Sequence, residues 1–176
     1  MVKLEQLTSA GAAKKKETFN DPIRHLQACH ERIEDRLQTL ERVAERFAEK
    51  PGEAADALRS CFHFFDTNGA WHTEDEEQSV FPRLRPMLSV EEEDGLQRLE
   101  AEHQNADRLY AQLKQSALRL EPLELPFFRQ RVREFCSHYR AHIRFEEPLL
   151  DSVAAKLNPA DLGEIAAEMK RRRSLP

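Results

Sequence analysis

Apolar residues recur at alternating steps of three and four along four stretches of the chain, the spacing of one buried helix face. The first stripe reads Ile23, Leu26, His30, Ile33, Leu37, Leu40, Ala44 and Phe47. The second reads Leu58, Phe62, Phe65, Gly69, His72, Glu76 and Val80. The third reads Leu96, Leu99, His103, Ala106, Tyr110, Leu113, Ala117 and Leu120. The fourth reads Phe128, Val132, Phe135, Tyr139, His142, Glu146, Leu149 and Val153. Helix signals punctuate these stripes. Asp21-Pro22 is an N-cap followed by proline at the first helical position, opening a helix that runs to about residue 49. Pro51-Gly52 breaks it, and a second helix runs from about 53 to 84, with Pro86 in the next turn. Ser89 with Glu92 is a capping-box signature for a third helix, reaching about 119. Glu121-Pro122 and Pro126 mark the next turn, a fourth helix reaches about 156, and Asn158-Pro159 caps a short fifth. The predicted fold is all-α: an up-down-up-down antiparallel four-helix bundle over 20–156, with an N-terminal arm at 1–19 and a short C-terminal helix and basic tail in 157–176.

Each stripe carries a histidine where an aliphatic residue belongs, and two carry a glutamate four positions later. In antiparallel helices joined by short turns, residues equally far from a turn sit at equal height. His30 is about 20 residues before the first turn and His72 about 22 after it, a mismatch of about 3 Å. His72 and His103 flank the second turn at about 15 and 16 residues, and His103 and His142 the third at about 19 and 20. All four histidines therefore converge on one layer. Glu76 and Glu146 follow one helical turn along. Without a cation, two carboxylates would be buried among apolar side chains with no Lys or Arg in the stripes, a costly arrangement. A pair of divalent or trivalent cations removes that cost. Imidazole and carboxylate donors together suit iron, although spacing alone leaves zinc and manganese open. The two halves match: His30 with His72 and Glu76 is echoed by His103 with His142 and Glu146. One ion should take its histidines from the first two helices, the other from the last two, with both carboxylates bridging.

Composition narrows the setting. The 176 residues are 40% hydrophobic and 34% charged, with net charge −5, which suits one domain with wet outer helix faces and excludes a chain-wide basic surface for nucleic acid. Lys170-Arg171-Arg172-Arg173 reads as cations favoured at a helix C-terminus, or as an anion or partner contact. Three scattered cysteines, Cys29, Cys61 and Cys136, fit a reducing compartment better than a disulfide framework. Neither a signal peptide nor a membrane span is expected, so the cytoplasm is the default location. His25 and His63 lie off their stripes and are expected to be exposed. Trp71 should point about 100° away from His72. Phe62, Phe65, Phe135 and Tyr139 read as ordinary core.

Taken together, Asp21-Pro22-Ile23 leading to His30, His72-Thr73-Glu74-Asp75-Glu76-Glu77 leading to Phe81-Pro82, Glu102-His103, and His142-Ile143-Arg144-Phe145-Glu146-Glu147 resemble the hemerythrin, or His-His-Glu cation-binding, family. The likeness covers about residues 20–156. It implies a non-haem di-iron centre with an oxo or hydroxo bridge and an open position for dioxygen, nitric oxide or peroxide. Leu99 stands where the oxygen carriers have a fifth histidine, one turn before the one matching His103. The remaining set of four histidines and two glutamates is similar to the branch that includes bacterial iron-centre repair proteins. His138, one turn before His142, is a candidate replacement ligand. Glu34 and Asp107, one turn after His30 and His103, are candidate acceptors behind the ligands, and Tyr110 a candidate channel residue.

The expected function is binding or sensing of a small diatomic ligand or peroxide at a carboxylate-bridged di-iron site. The alternatives are a di-iron enzyme that consumes peroxide, reduces nitric oxide or oxidises ferrous iron, and a metal-free interaction bundle. No nucleic-acid or membrane partner is expected, and no redox partner is identified.

Overall fold

A computed structural model describes residues 19–118, 120, 121 and 123–175. The arm expected at 1–19, with Lys14-Lys15-Lys16, lies outside these residues except for Phe19. All regular elements among the described residues are helical, five helices in all. Among the described residues no helix is long and apolar enough to cross a membrane.

α1 spans Pro22–Arg46, and the Asp21 carboxylate accepts from the Arg24 amide at 3.1 Å as its N-cap. α2 is a segmented helix. It comprises Pro51–Phe64, a π turn Phe65–Gly69, Ala70–Asp75, a second π turn Glu76–Val80, Phe81–Leu84 and a final 3-10 turn Arg85–Met87. Pro51 therefore opens this helix rather than merely ending the previous one, because a first-turn position needs no N–H. The π turns depart from the uninterrupted helix expected between 53 and 84. Each accommodates an extra residue and broadens the buried face. Adjacent residues accordingly both turn inward at Phe64 and Phe65, Asp75 and Glu76, and Ser79 and Val80.

α3 spans Val90–Ala117 behind a complete capping box: Glu92 N–H donates to the Ser89 hydroxyl, and Ser89 N–H to the Glu92 carboxylate. α4 spans Leu125–Ala154 and carries Pro148 internally. α5 spans Pro159–Arg172, with Asn158 accepting from the Ala160 and Asp161 amides.

Contacts between neighbouring helices step in opposite directions. Gln27 meets Asp151, Glu34 meets Arg140, and the Ala44 carbonyl accepts from Arg129, so α1 and α4 run antiparallel. His30 meets His72, and the Arg36 carbonyl accepts from Cys61. Asp66 meets Tyr110, and Glu77 meets His103. Asn105 meets His138, and Glu102 meets His142.

The apolar interior falls into two parts. One centres on Ile33, Leu37, Leu58, Leu113, Phe128 and Phe135. The other centres on Leu26, Phe81, Leu84, Leu96, Leu99 and Leu150, and α5 adds Ile165 and Met169, both fully buried. α5 is thus part of the core, where burial of two such side chains contributes about 1.5–3 kcal/mol each.

Lys170, Arg171 and Arg172 fill the last turn of α5, as cations at a helix C-terminus, and Arg172 and Arg173 also turn inward. Asp75, fully buried, accepts from Arg172 at 2.6 Å and from Arg173 at 2.7 and 3.2 Å. Arg172 also donates to the Ser79 hydroxyl at 2.7 Å. The Arg173 guanidinium lies over the rings of Phe19 and Trp71, each 5.4 Å away. His25, expected to be exposed, is buried and stacks on Phe19 with centroids 4.1 Å apart. His63 is exposed. Cys29, Cys61 and Cys136 are free and buried, and burial raises all three thiols above their ordinary range.

Candidate metal centre

Six polar side chains meet between the two apolar parts of the interior. His30, His72, Glu76, His103, His142 and Glu146 come from α1, α2, α3 and α4, and none is more than 6% exposed. The histidines pair as the sequence symmetry suggests. His30 Nε2 and His72 Nε2 are 3.1 Å apart, and His103 Nε2 and His142 Nε2 are 3.2 Å apart. The carboxylates join the pairs. Glu76 places Oε1 3.1 Å from His72 and Oε2 3.2 Å from His103. Glu146 Oε2 lies 3.2 Å from His30 and 3.1 Å from His142. Atoms of His30, His72, Glu76 and Glu146 fall within 4.8 Å of one another, as do atoms of Glu76, His103 and His142.

The rings are held from behind by carboxylates that sequence reasoning left without a role. Glu147 accepts from His30 Nδ1 at 3.0 Å, Glu77 from His103 Nδ1 at 2.8 Å, and Glu102 from His142 Nδ1 at 3.0 Å. An ionised carboxylate can only accept, so each fixes the proton on Nδ1 and turns the Nε2 lone pair toward the centre. The signal was present in Glu76-Glu77, Glu146-Glu147 and Glu102-His103. A residue next to a ligand points about 100° around its helix, toward the neighbouring helix and its histidine.

The candidates placed behind the ligands sit elsewhere. Glu34 is bound by Arg140, which also binds Glu41. Asp107 is exposed and lines a recess. Tyr110, the candidate channel residue, lines the same recess, with its hydroxyl 3.0 Å from both the Phe62 carbonyl and Asp66. His138 does not join the cluster. Its Nε2 donates to the Glu102 carbonyl at 2.8 Å and its Nδ1 lies 3.3 Å from the Asn105 amide nitrogen, so both nitrogens are engaged on α3. Leu99 is fully buried in the apolar part beside the layer.

Electrostatically the layer holds too many acceptors. None of the four oxygens of Glu76 and Glu146 has a hydrogen-bond partner outside the layer, and the buried Nδ1 of His72 has no partner at all. Burial, with repulsion from Glu146, pushes the Glu76 carboxyl well above its ordinary range. Burial would raise Glu146 as well, but His142 and His30 hold it well below. Burial and the neighbouring His30 keep His72 neutral. Burial also opposes charge on His30, but Glu146 and Glu147 outweigh it and raise that ring. Without a cation, therefore, proton uptake is favoured at Glu76 and His30. The orphaned oxygens and inward lone pairs fit a pair of metal ions.

A recess of about 350 Å³ adjoins the layer, lined in part by Phe65, Thr73, Ala106, Asp107, Tyr110 and Tyr139. Thr73 follows His72, Ala106 is one turn beyond His103, and Tyr139 meets the His142 ring edge-on with centroids 6.3 Å apart. Tyr139 thus stands between the recess and the layer, a place that the reading of it as plain core did not anticipate.

Comparison with known proteins agrees with this picture. The hemerythrin HHE cation binding domain matches residues 21–150. An uncharacterized protein of Haemophilus influenzae is 26% identical over 165 residues, 90% of this chain and 93% of that protein. Because the matched span carries all six residues of the buried layer, the chain belongs to the hemerythrin HHE cation-binding family.

Proposed function

We propose that His30, His72, Glu76, His103, His142 and Glu146 hold two iron ions, and that the centre binds or senses dioxygen, nitric oxide or peroxide. The observation that carries this reading is the convergence, in one dry layer, of inward lone pairs and carboxylate oxygens that have no partner outside it. The spacing supports it. Donors about 2.1 Å from an ion lie about 3.0 Å apart along an octahedral edge and about 3.4 Å along a tetrahedral one. The separations of 3.1–3.2 Å fall between these two edges, the spacing of donors that share one ion. Two imidazoles and a share of two carboxylates per ion leave positions open to a small ligand. Iron supplies a change of oxidation state and affinity for such ligands, while the chain orients the donors, excludes water and sets the protons on the Nδ1 atoms. The recess beside Tyr139 is the approach such a ligand would use. The same reading makes 20–156 an up-down-up-down four-helix bundle extended by 157–176, working in the reducing cytoplasm.

Purified protein loaded anaerobically with ferrous iron should hold about two ions per chain and change its optical spectrum on addition of nitric oxide. Less than one ion per two chains would sink the dinuclear reading. A di-iron enzyme would share this site, and turnover separates the two readings. Consumption of peroxide or nitric oxide that stops near one equivalent rules out the enzyme.

Two further outcomes follow from the geometry. Metal uptake should displace the protons on Glu76 and His30, both of whose proton affinities are raised without metal. Affinity should therefore rise with pH, by about tenfold per pH unit for each proton released, and fall on acidification. Titration calorimetry in buffers of different ionisation heat reads the proton count, and Glu76→Gln should lower it. Secondly, Glu77→Gln should weaken metal binding about 10–100-fold through loss of its hold on His103, measured by competition with a chelator. Unchanged affinity would show that the hydrogen bond does not orient the ring.

A further inference from the structure

A second recess, about 370 Å³, opens between α1 and α2 away from the histidine layer. Arg32, Arg36 and Arg42 line it from α1, with Asp35 as its one acidic lining residue and Phe64 and Asn68 contributed by α2. Residues 32, 36 and 39 fall on one stripe of α1, and Arg42 donates to the Thr39 hydroxyl at 2.9 Å. The Arg36 guanidinium lies over the Phe64 ring, 5.4 Å from its centroid.

Elsewhere in this acidic chain half-buried arginines have their acceptors: Arg83 binds Glu164 and Glu168, Arg140 binds Glu34 and Glu41, Arg172 and Arg173 bind Asp75, and Arg129 binds the Ala44 and Glu45 carbonyls. Among the described residues none of Arg32, Arg36 and Arg42 forms an ion pair with a carboxylate. The Nε groups of Arg32 and Arg36 are buried without an acceptor. Buried donors left unpaired are costly, and a guanidinium fork matches the oxygens of a phosphate or carboxylate. Three guanidinium groups around one recess, with two Nε–H donors unsatisfied, leave a place for a compact dianion.

We infer that this recess binds a phosphate-type oxyanion, free or as the phosphoryl group of a small metabolite, with Arg32 and Arg36 supplying the donors and Arg42 added charge. The site is separate from the metal centre and does not depend on its occupancy. The test is titration of the full-length protein, metal-free and iron-loaded, with inorganic phosphate and with glycerol phosphate at constant ionic strength, followed by calorimetry and thermal melting. One saturable site per chain is expected, below about 10 mM. Arg36→Gln and Arg32→Gln should each weaken it about tenfold or more, with helical content unchanged. Arg133→Gln, at an exposed position on α4, should leave it intact. A tighter fit for glycerol phosphate than for inorganic phosphate would assign the site to phosphorylated metabolites, and equal or weaker binding would assign it to the free anion. Absence of saturation, or equal binding by the Arg32 and Arg36 variants and wild type, would overturn the proposal.

Discussion

Replacement of Glu76 by Leu is expected to lower bound iron from about two ions per chain to one or none. The same change should stabilise the metal-free protein by about 1–3 kcal/mol, because it removes a buried carboxyl whose oxygens have no partner outside the layer. Both effects come from one property. Glu76 reaches His72 with one oxygen and His103 with the other, so it belongs to both histidine pairs. Elemental analysis gives the first number, and denaturant unfolding of chelator-treated protein gives the second. A variant that keeps its full iron, or a metal-free form that loses stability, would show that the layer is held together by something other than cations. The opposite signs in the two states separate this outcome from simple misfolding.

Asp75→Ala should cost about 3–5 kcal/mol, the loss typical of breaking a buried ion pair from one side. At roughly 2–4 °C per kcal/mol for a chain of this size, melting should fall by about 6–20 °C. Asp75 is fully buried, and Arg172 and Arg173 are 15% and 6% exposed, so the alanine variant leaves two guanidinium groups with little water to replace the lost carboxylate. The clamp also joins the end of α5 to the residue immediately before Glu76. Arg173→Ala in the Asp75→Ala background should add much less than it costs alone, because the two changes remove one interaction. Additive losses would mean that Arg173 acts through its stacking on Phe19 and Trp71 instead. A melting change under about 2 °C for Asp75→Ala would refute the clamp altogether.

The helices and their capping residues could be read along the chain because they depend on residues three and four apart. Asp21, Ser89 with Glu92, and Asn158 all cap as their spacing suggests. The meeting of the six layer residues was also readable, since equal distances from short turns place side chains at equal heights. The π turns in α2 were not, because the stripe from Leu58 to Val80 keeps its ordinary spacing. Nor did spacing separate acceptors from bystanders. Glu34 and Asp107 stand one turn from a histidine, yet Glu77, Glu102 and Glu147 hold the rings, because which carboxylate reaches a ring depends on the neighbouring helix.

The sequence by itself determined the all-helical character, the positions of the turns and the choice of six polar residues for the interior, since these rest on local periodicity and on the cost of burying charge. Only the tertiary structure decided that His138 faces the Glu102 carbonyl rather than the centre. It alone brought the basic tail back onto Asp75 and gathered unpaired arginines around the recess between α1 and α2. Those outcomes depend on which surfaces of distant segments come together, and a one-dimensional pattern carries no record of the partner that a charged side chain will meet.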